Sequence, residues 1–447
     1  MRLLFFILYA TLASWLSAAH ADDGDAFDYA LQFSIERSAA DGITLGDDPT
    51  EDRQVDEEFE FEFALEYQVN ESFYLFFVGA PIDETETIET VGREEDASGL
   101  ERKEIGAGYF FGEEIPTQLR FGRSEFASAG EWWLWWDEEL DSIRFDSSFG
   151  DLEATLGLAQ ELARESTADD FIDPELDQVE RVLLSLAWEF ADGQSLILYY
   201  LDQTDDSRSY NIGEFEEADK IDEEDADLSW SGISYLAGFD IEKIGDLELE
   251  LHAAGVSGDE TVYEFDDPVA GRSEVVERDR RRVSGSAYGY LLNWTPAALD
   301  DWTFILGNAR GSGDGNPNDN RSKSFRQTGL QGDSESFGEL YQPELSNLVV
   351  DLVGVEWEIA EGVELALQGY RYRQHRLADE MRDVGIDLDP SGLSRDLGRE
   401  IDLIVTIEAR AGLELVITAA EFDAGKAYGA SSGETANFIN FELGYEF

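Results

Sequence analysis

Arginine side chains carry the clearest chemistry in this sequence. The chain has 100 acidic and only 31 basic residues, which gives a formal net charge of −69. Several arginines nevertheless stand near the ends of alternating segments, namely Arg123, Arg144, Arg181, Arg282, Arg310, Arg371, Arg373 and Arg399. A guanidinium group binds carboxylates and phosphates through paired N–H donors. If several of these arginines faced one channel, they would form a local anion filter inside an acidic protein.

Catalytic chemistry has little support in the sequence. Beyond residue 21 the histidines are His252 and His375, cysteine is absent, and no motif places a serine beside a histidine. We therefore predict no enzymatic activity, no bound cofactor and no metal.

Alternating segments must position the arginines. Residues 59–67, 182–190 and 439–447 place an apolar side chain at every second position, which is typical of strands with one apolar face. We predict about 18 such strands, each near the ~9 to 11 residues that cross a bilayer when tilted. They begin near Phe27, Phe59, Phe73, Arg102, Thr117, Leu140, Leu152, Val179, Ser195, Trp230, Leu247, Val283, Trp302, Leu348, Val363, Ile401, Leu413 and Phe438.

The connections between these strands alternate in length. Every second one is short, as at 69–71, 111–115, 149–150, 191–193, 244–245, 360–362 and 411–412. The intervening ones are long and acidic, as at 39–55, 202–227, 255–280, 311–347 and 375–399. This asymmetry predicts an all-β protein, a transmembrane antiparallel β-barrel with short periplasmic turns and long extracellular loops. A soluble β-sandwich is the alternative, but it does not predict alternation of loop length.

The N-terminus indicates export. Met1–Arg2 is a short basic segment, residues 3–16 are apolar, and Ala19–His20–Ala21 fits a signal-peptidase site. After it, no apolar run approaches the ~20 residues of a membrane helix. We therefore predict a signal peptide over residues 1–21 and a barrel over 22–447 in the outer membrane of a Gram-negative bacterium.

A tryptophan cluster, WWLWW at residues 132–136, precedes the predicted sixth strand. Tryptophan favours the membrane interface because its ring is apolar and its N–H is polar. We expect this cluster to anchor the barrel at the interface, to form a sugar-stacking lip on the pore mouth, or to do both.

Side-chain parity indicates which arginines face the lumen. In the sixth strand Ile143 and Phe145 would face lipid, so Arg144 would face the lumen. Arg371 and Arg373 share the parity of lipid-facing leucines, and a bulge near Gly369 would be needed to turn them inward. The alternative is that the arginines face outward to lipopolysaccharide phosphates or pair with loop carboxylates.

Several motifs resemble one family. The first is RFGRSEF at 120–126 followed by WWLWWDEELDSIRF at 132–145, which contain Arg123 and Arg144. A second block contains GSGDGNPNDN at 311–320, SFRQTGLQ at 324–331, GEL at 338–340 and PELSNL at 343–348, and YRYR follows at 370–373. Together they resemble the alginate export porins of Gram-negative bacteria. The resemblance implies an 18-stranded monomeric barrel that passes alginate outward through an arginine-lined constriction.

These observations predict a channel for an anionic polysaccharide such as alginate or its oligomers. The pore residues would be Arg123, Arg144, Arg310, Arg371 and Arg373, which would bind carboxylates weakly at successive sites. Expected partners are the polysaccharide or small solutes, outer-membrane lipid and lipopolysaccharide, and periplasmic export proteins, but no nucleic acid. A general or cation-preferring diffusion porin and a plugged structural or adhesive surface barrel are the alternatives. The family's long periplasmic gating turn is replaced here by the short turn at 411–412.

Overall fold

The structure is a computed structural model that describes most of the chain. The described residues are 27–46, 53–88, 93–112, 115–127, 137–169, 171–266, 268–269, 271–316, 319–330, 337–382, 384–409 and 412–446, with only the backbone given at 93–95, 137 and 219. The predicted signal peptide and the tryptophan cluster at 132–136 lie outside the described residues. In the part of the chain that the structure describes, no helix is long and apolar enough to span a membrane.

The fold is a barrel of 18 long strands, as the alternating pattern predicted. Each predicted starting residue lies within a different strand. The bounds are β1 Phe27–Asp41, β2 Arg53–Asn70, β3 Phe73–Ile88, β4 Arg93–Phe111, β5 Thr117–Ala127, β6 Asp137–Phe149, β7 Leu152–Gln160, β8 Val179–Ala191, β9 Gln194–Asp205, β10 Glu224–Ile241, β11 Gly245–Phe265, β12 Arg272–Pro296, β13 Trp302–Gly311, β14 Leu348–Ala360, β15 Val363–Gln374, β16 Asp396–Ala409, β17 Leu413–Ala424 and β18 Thr435–Glu446.

The sheet closes on itself. Consecutive strands pair antiparallel around the barrel, and β18 pairs antiparallel with β1, where Phe33 lies opposite Tyr445. Closure leaves no unpaired edge between the long strands, which satisfies the backbone inside a membrane. The predicted fold class is therefore confirmed.

The two ends of the barrel differ as predicted. At the periplasmic end the connections are short, and the turn Asp192–Gly193 uses a glycine with φ of 65°. The connection from β16 to β17 spans only residues 410–412. At the extracellular end, residues 161–178, 206–223, 312–347, 375–395 and 425–434 form long connections.

One long loop was predicted too broadly. Residues 255–280 were expected to form an extracellular loop, but β11 and β12 stay hydrogen bonded through most of this segment, as far as Phe265 opposite Val275. The alternation of residues 261–265 suits a strand, and its continued pairing leaves a connection of only residues 266–271. These strands therefore extend the barrel wall on the extracellular side.

Alternation along each strand separates an outer from an inner surface. On the outer surface Leu306, Val353 and Ile401 are 44%, 60% and 54% exposed, as expected for side chains that contact lipid. The neighbouring inward residues Leu352 and Tyr372 are buried. The core of the protein thus lies inside the barrel, where the extracellular connections pack against the inner wall.

Candidate pore lining and extracellular mouth

Arg144 lies on the inner wall. Its strand neighbours Ile143 and Phe145 are exposed on the opposite face. The guanidinium Nε donates to Asp146 Oδ1 at 2.9 Å and Nη1 donates to the Glu125 carbonyl at 2.6 Å. The group also lies 4.8 Å from the centre of the Phe126 ring. Arg144 is thus held in position, with a side chain that is 19% exposed.

Arg123 does not line an open pore, contrary to the sequence-based expectation. Its side chain is 1% exposed and pairs with Glu161 at 2.6 Å and with Glu165. A neighbouring pair joins Arg102 Nη2 to Asp141 Oδ2 at 3.0 Å. Burial requires such pairing because an isolated buried charge is costly. Arg123 therefore fastens the 161–178 connection to the wall.

Arg371 and Arg373 face outward. The bulge expected in β15 near Gly369 is absent, since β15 stays in register with β14 from Leu365 to Gln374. The register shift between β15 and β16, at Tyr372 and Arg373, arises from the extra residue Leu397 on β16. The two arginines therefore keep the outward parity, and the expectation that they line the pore is wrong. Tyrosines, at 370 and 372, take the inward positions instead.

Arg310 also faces outward. It pairs directly with Tyr288, which is 51% exposed, and residues directly opposite each other in a sheet share a face. Arg310 donates from Nη1 to the Tyr288 hydroxyl at 3.1 Å, and its guanidinium lies 5.8 Å from that ring's centre. Arg310 was predicted to line the pore because it lies at the end of a strand, but that position alone does not determine whether the side chain faces the lumen or the outside.

The described parts of the connection 312–347, residues 312–316, 319–330 and 337–347, lie inside the barrel, and we call them the inner loop. Midway along it, the Arg326 carbonyl accepts a hydrogen bond from the indole nitrogen of Trp230 on β10 at 2.9 Å. The Arg326 guanidinium binds Glu260 on β11 through two hydrogen bonds, of 2.9 and 3.2 Å. Arg326 is 5% and Glu260 1% exposed. The middle of the inner loop is fixed to β10 and β11.

A later part of the inner loop, residues 337–341, is fixed to β15 and β16. The Glu400 carboxylate accepts hydrogen bonds from the backbone nitrogens of Leu340 and Tyr341, at 2.8 and 3.0 Å. The Tyr372 hydroxyl donates to the Phe337 carbonyl at 2.7 Å. The Tyr341 ring stacks on Phe422 of β17, with centroids 4.6 Å apart. The described parts of the inner loop thus contact two different walls of the barrel, at β10 and β11 and at β15 to β17.

Gly338 permits this close approach. Its φ is 98°, which a side chain disfavours, and an added Cβ would lie 2.7 Å from Glu400 Oε1 and 2.4 Å from the Tyr372 hydroxyl. This arrangement was not predicted from the sequence. The apolar residues of the 312–347 connection could have indicated it, because an external loop would not need them. Phe325, Leu330 and Leu345 are all buried in the structure.

A cavity of about 520 Å³ lies beside the inner loop at the extracellular mouth. Its described lining has three guanidinium groups, Arg181, Arg326 and Arg382, and six carboxylates, Glu175, Asp205, Glu223, Glu224, Glu344 and Glu380. A smaller cavity, of about 240 Å³, is lined by four arginines and four carboxylates. The mouth therefore presents arginines among at least as many acids.

The mouth arginines are held by individual partners. Arg382 pairs with Glu224, and Arg181 donates from Nε to Gln203 Oε1 at 3.1 Å. Burial alone would lower the pKa of Arg382, but the Glu224 carboxylate raises that pKa above its ordinary value. The Arg382 guanidinium therefore stays charged at the mouth. Neither Arg326 nor Arg382 was identified as a candidate from the sequence.

Comparison with known proteins identifies the family. The family model described as alginate export matches residues 51–442. The alginate production protein AlgE of Pseudomonas aeruginosa is 25% identical over 376 residues, which cover 76% of this chain and 73% of that protein. AlgE of Azotobacter vinelandii is 30% identical over 125 residues, which cover 24% of this chain and 25% of that protein.

Solved structures share the fold. Pseudomonas aeruginosa OpdQ has a TM-score of 0.57 at 9% identity, with 96% of this chain and 99% of that chain covered. The outer membrane protein OprD from Pseudomonas aeruginosa has a TM-score of 0.55 at 13% identity, with coverage of 95% and 94%. The closed barrel together with the family match and the AlgE relative places the protein in the Gram-negative outer membrane. The chain therefore belongs to the alginate export family of outer-membrane β-barrel channels.

Proposed function

We propose that this channel passes alginate, or a chemically similar uronate polysaccharide and its oligomers, across the outer membrane. The observation that carries the proposal is the family match, which spans most of the barrel, from residue 51 to residue 442. The name of the relative in Pseudomonas aeruginosa, alginate production protein, supports the same substrate class. A closed barrel also suits a monomer, and we expect export partners at the periplasmic end.

The inner-wall cations would interact with the polymer one carboxylate at a time. Arg144 uses Nε and Nη1 for Asp146 and Glu125, while Nη2 has no partner among the described residues. Arg120 is a second inner-wall candidate, since its Nε donates to the hydroxyl of buried Tyr74 at 3.1 Å. Such partly neutralised guanidinium groups would bind a uronate weakly, so the chain could enter and leave.

A cation-preferring diffusion porin is the second candidate function. The observation that favours it is the larger mouth cavity, where six carboxylates face three guanidinium groups. A permeating ion is influenced mainly by charges within a Debye length of about 8 Å at physiological salt. Under this alternative the acidic mouth would determine selectivity and Arg144 would contribute little.

The selectivity of the purified channel in a planar bilayer tests the proposal. Arg144→Glu should shift the reversal potential toward cations and weaken the block of current by oligouronates, because it reverses one charge on the inner wall. Arg373→Glu is the matched control, since Arg373 also pairs with a nearby aspartate but faces outward.

Three outcomes would contradict the proposal. A wild-type channel that prefers cations and ignores oligouronates would leave the diffusion porin. An equal shift from both substitutions would show that the face of the barrel does not matter. A folded barrel without measurable current would indicate a closed surface protein.

A further inference from the structure

The outward arginines form one patch on the extracellular part of the barrel. Their register is continuous, since Asn308 on β13 pairs with Asp351, Asp351 pairs with Arg371, and Arg371 pairs with Arg399. Adjacent strands in a sheet lie about 4.8 Å apart, so Arg371 and Arg399 are direct neighbours on the outer surface. We call the group Arg310, Arg371, Arg373, Arg376, Arg395 and Arg399 the basic rim.

The basic rim lies immediately above the lipid-facing surface. Two residues closer to the periplasm on each strand lies the next row of outward residues. Going from β13 to β16, this row contains Leu306, Val353, Gly369 and Ile401, each paired with the next. Leu306, Val353 and Ile401 are all exposed on the outside of the barrel. One outward position thus separates the exposed side chains of Leu306, Val353 and Ile401 from the guanidinium groups, with exposed Glu421 opposite Ile401 at the lower level. This is the level at which the head groups of the outer leaflet would contact the protein.

The charge balance of the basic rim is opposite to that of the whole chain. The net charge of the chain is −69, yet six arginines lie here, and the described acids in register with them or with the next outward position are Asp351, Asp396, Asp423 and Glu421. Two of these acids form exposed ion pairs, Arg373 with Asp351 and Arg399 with Asp423, both at 2.6 Å. Exposed pairs of this kind are weak. Arg371 is exposed and has no partner among the described residues.

His375 organises one end of the basic rim. Its Nε2 lies 2.5 Å from Arg310 Nη2 and its Nδ1 lies 2.8 Å from the Gly313 nitrogen, and a neutral imidazole accepts only one of these two N–H groups. Burial and the nearby charges of Arg310, Arg376 and Arg395 lower the pKa of His375. The lowered pKa favours the neutral imidazole, and the Arg310 guanidinium contacts the ring directly.

We propose that the basic rim binds the phosphate groups of the outer-leaflet glycolipid, lipopolysaccharide. Guanidinium groups recognise phosphate through paired N–H donors, and a phosphorylated glycolipid brings its anionic groups to the height where acyl chains end. The apolar surface below would contact the acyl chains. The inference is independent of what passes through the lumen, because every residue of the basic rim on β13, β15 and β16 faces outward.

Binding of purified lipid A to the folded barrel in detergent, measured by native mass spectrometry, tests this assignment. The test variant combines Arg371→Gln and Arg399→Gln. We expect it to bind bisphosphorylated lipid A about tenfold more weakly than the wild type, a loss equivalent to about 1.4 kcal/mol. Arg37→Gln is the matched control, since Arg37 is a 62% exposed arginine that pairs with Glu57 on distant β1 and β2.

Two ligand arms separate possible sources of the binding. Dephosphorylated lipid A should bind the wild type as weakly as bisphosphorylated lipid A binds the double variant. Inorganic phosphate at millimolar concentration should not displace the lipid, because it lacks the acyl chains.

Equal binding of both lipids, or equal binding by the wild type and the double variant, would overturn the proposal. Displacement by inorganic phosphate would also overturn it and leave a simple anion site. The heat-modifiable mobility of each variant verifies folding. Should the double variant fail to fold, Arg371→Gln alone applies the same test, since Arg371 has no partner to lose among the described residues.

Discussion

Removal of the Glu400 carboxylate should release residues 337–341 of the inner loop. Glu400 is 0% exposed and accepts the backbone N–H groups of Leu340 and Tyr341. Glu400→Ala leaves both donors buried without this acceptor. Each unsatisfied donor costs about 1–3 kcal/mol. The packed conformation of residues 337–341 should therefore be destabilised by about 2–6 kcal/mol relative to a conformation in which these residues leave the wall. Even the lower value corresponds to a shift of about 30-fold in the equilibrium.

Two measurements report the displacement. Single-channel recordings of Glu400→Ala should show a larger mean conductance and more frequent transitions, because the inner loop occupies the lumen in the wild type. Chymotrypsin should cleave after Tyr341 in the variant, whereas the wild-type side chain is 0% exposed and protected. Both effects follow from the same release and should appear together.

Glu400→Gln is the matched control. The amide keeps an oxygen that accepts at least one of the two N–H groups, so its effect should lie between those of the wild type and Glu400→Ala. If Glu400→Ala retains both the wild-type conductance and the protection of Tyr341, Glu400 is not required to hold the inner loop. In that case the contacts of Tyr372 with Phe337 and of Tyr341 with Phe422 would suffice to hold the inner loop.

Two further predictions concern topology and pH. Because the chain lacks cysteine, a membrane-impermeant thiol reagent should label Leu393→Cys, at an 85% exposed position, in intact cells, and Asp192→Cys only after permeabilisation. Labelling of Asp192→Cys in intact cells would reverse the assigned orientation. Burial raises the pKa of Asp222 to about 7, so the folded connection 206–223 favours the protonated acid and loses stability as pH rises from about 4 to about 7. Hydrogen-exchange protection of this connection should fall over that range in the wild type and stay constant in Asp222→Asn; identical profiles would contradict the assignment.

The strands and their order could be read from the sequence. A period of two arises from contacts within a strand and with adjacent strands, so it is visible in segments such as 59–67 and 439–447. The short turns were equally local, as at Asp192–Gly193. The long hairpin of β11 and β12 was not separated from a loop, because its charged residues resemble those of a solvated connection.

The alternation of side chains along β15 by itself predicts that Arg371 and Arg373 face outward. A bulge near Gly369 was expected because it would have turned these arginines into the pore, but β15 stays in register with β14 through Gly369, Arg371 and Arg373, so simple alternation was sufficient. Arg144 was placed on the inner face by the same rule. Whether Arg144 contacts a substrate stays a prediction.

The position of the inner loop was decided only by tertiary structure. The bond from Trp230 to Arg326 joins residues 96 apart in sequence, and the bond from Leu340 to Glu400 joins residues 60 apart. No local periodicity encodes such distant partners, so residues 312–347 resembled an external loop. The sequence by itself determined a barrel of about 18 strands and its family, because alternation and motifs are local. Tertiary structure decided what fills the barrel and which arginines face lipid, because those depend on closure and on contacts between distant segments.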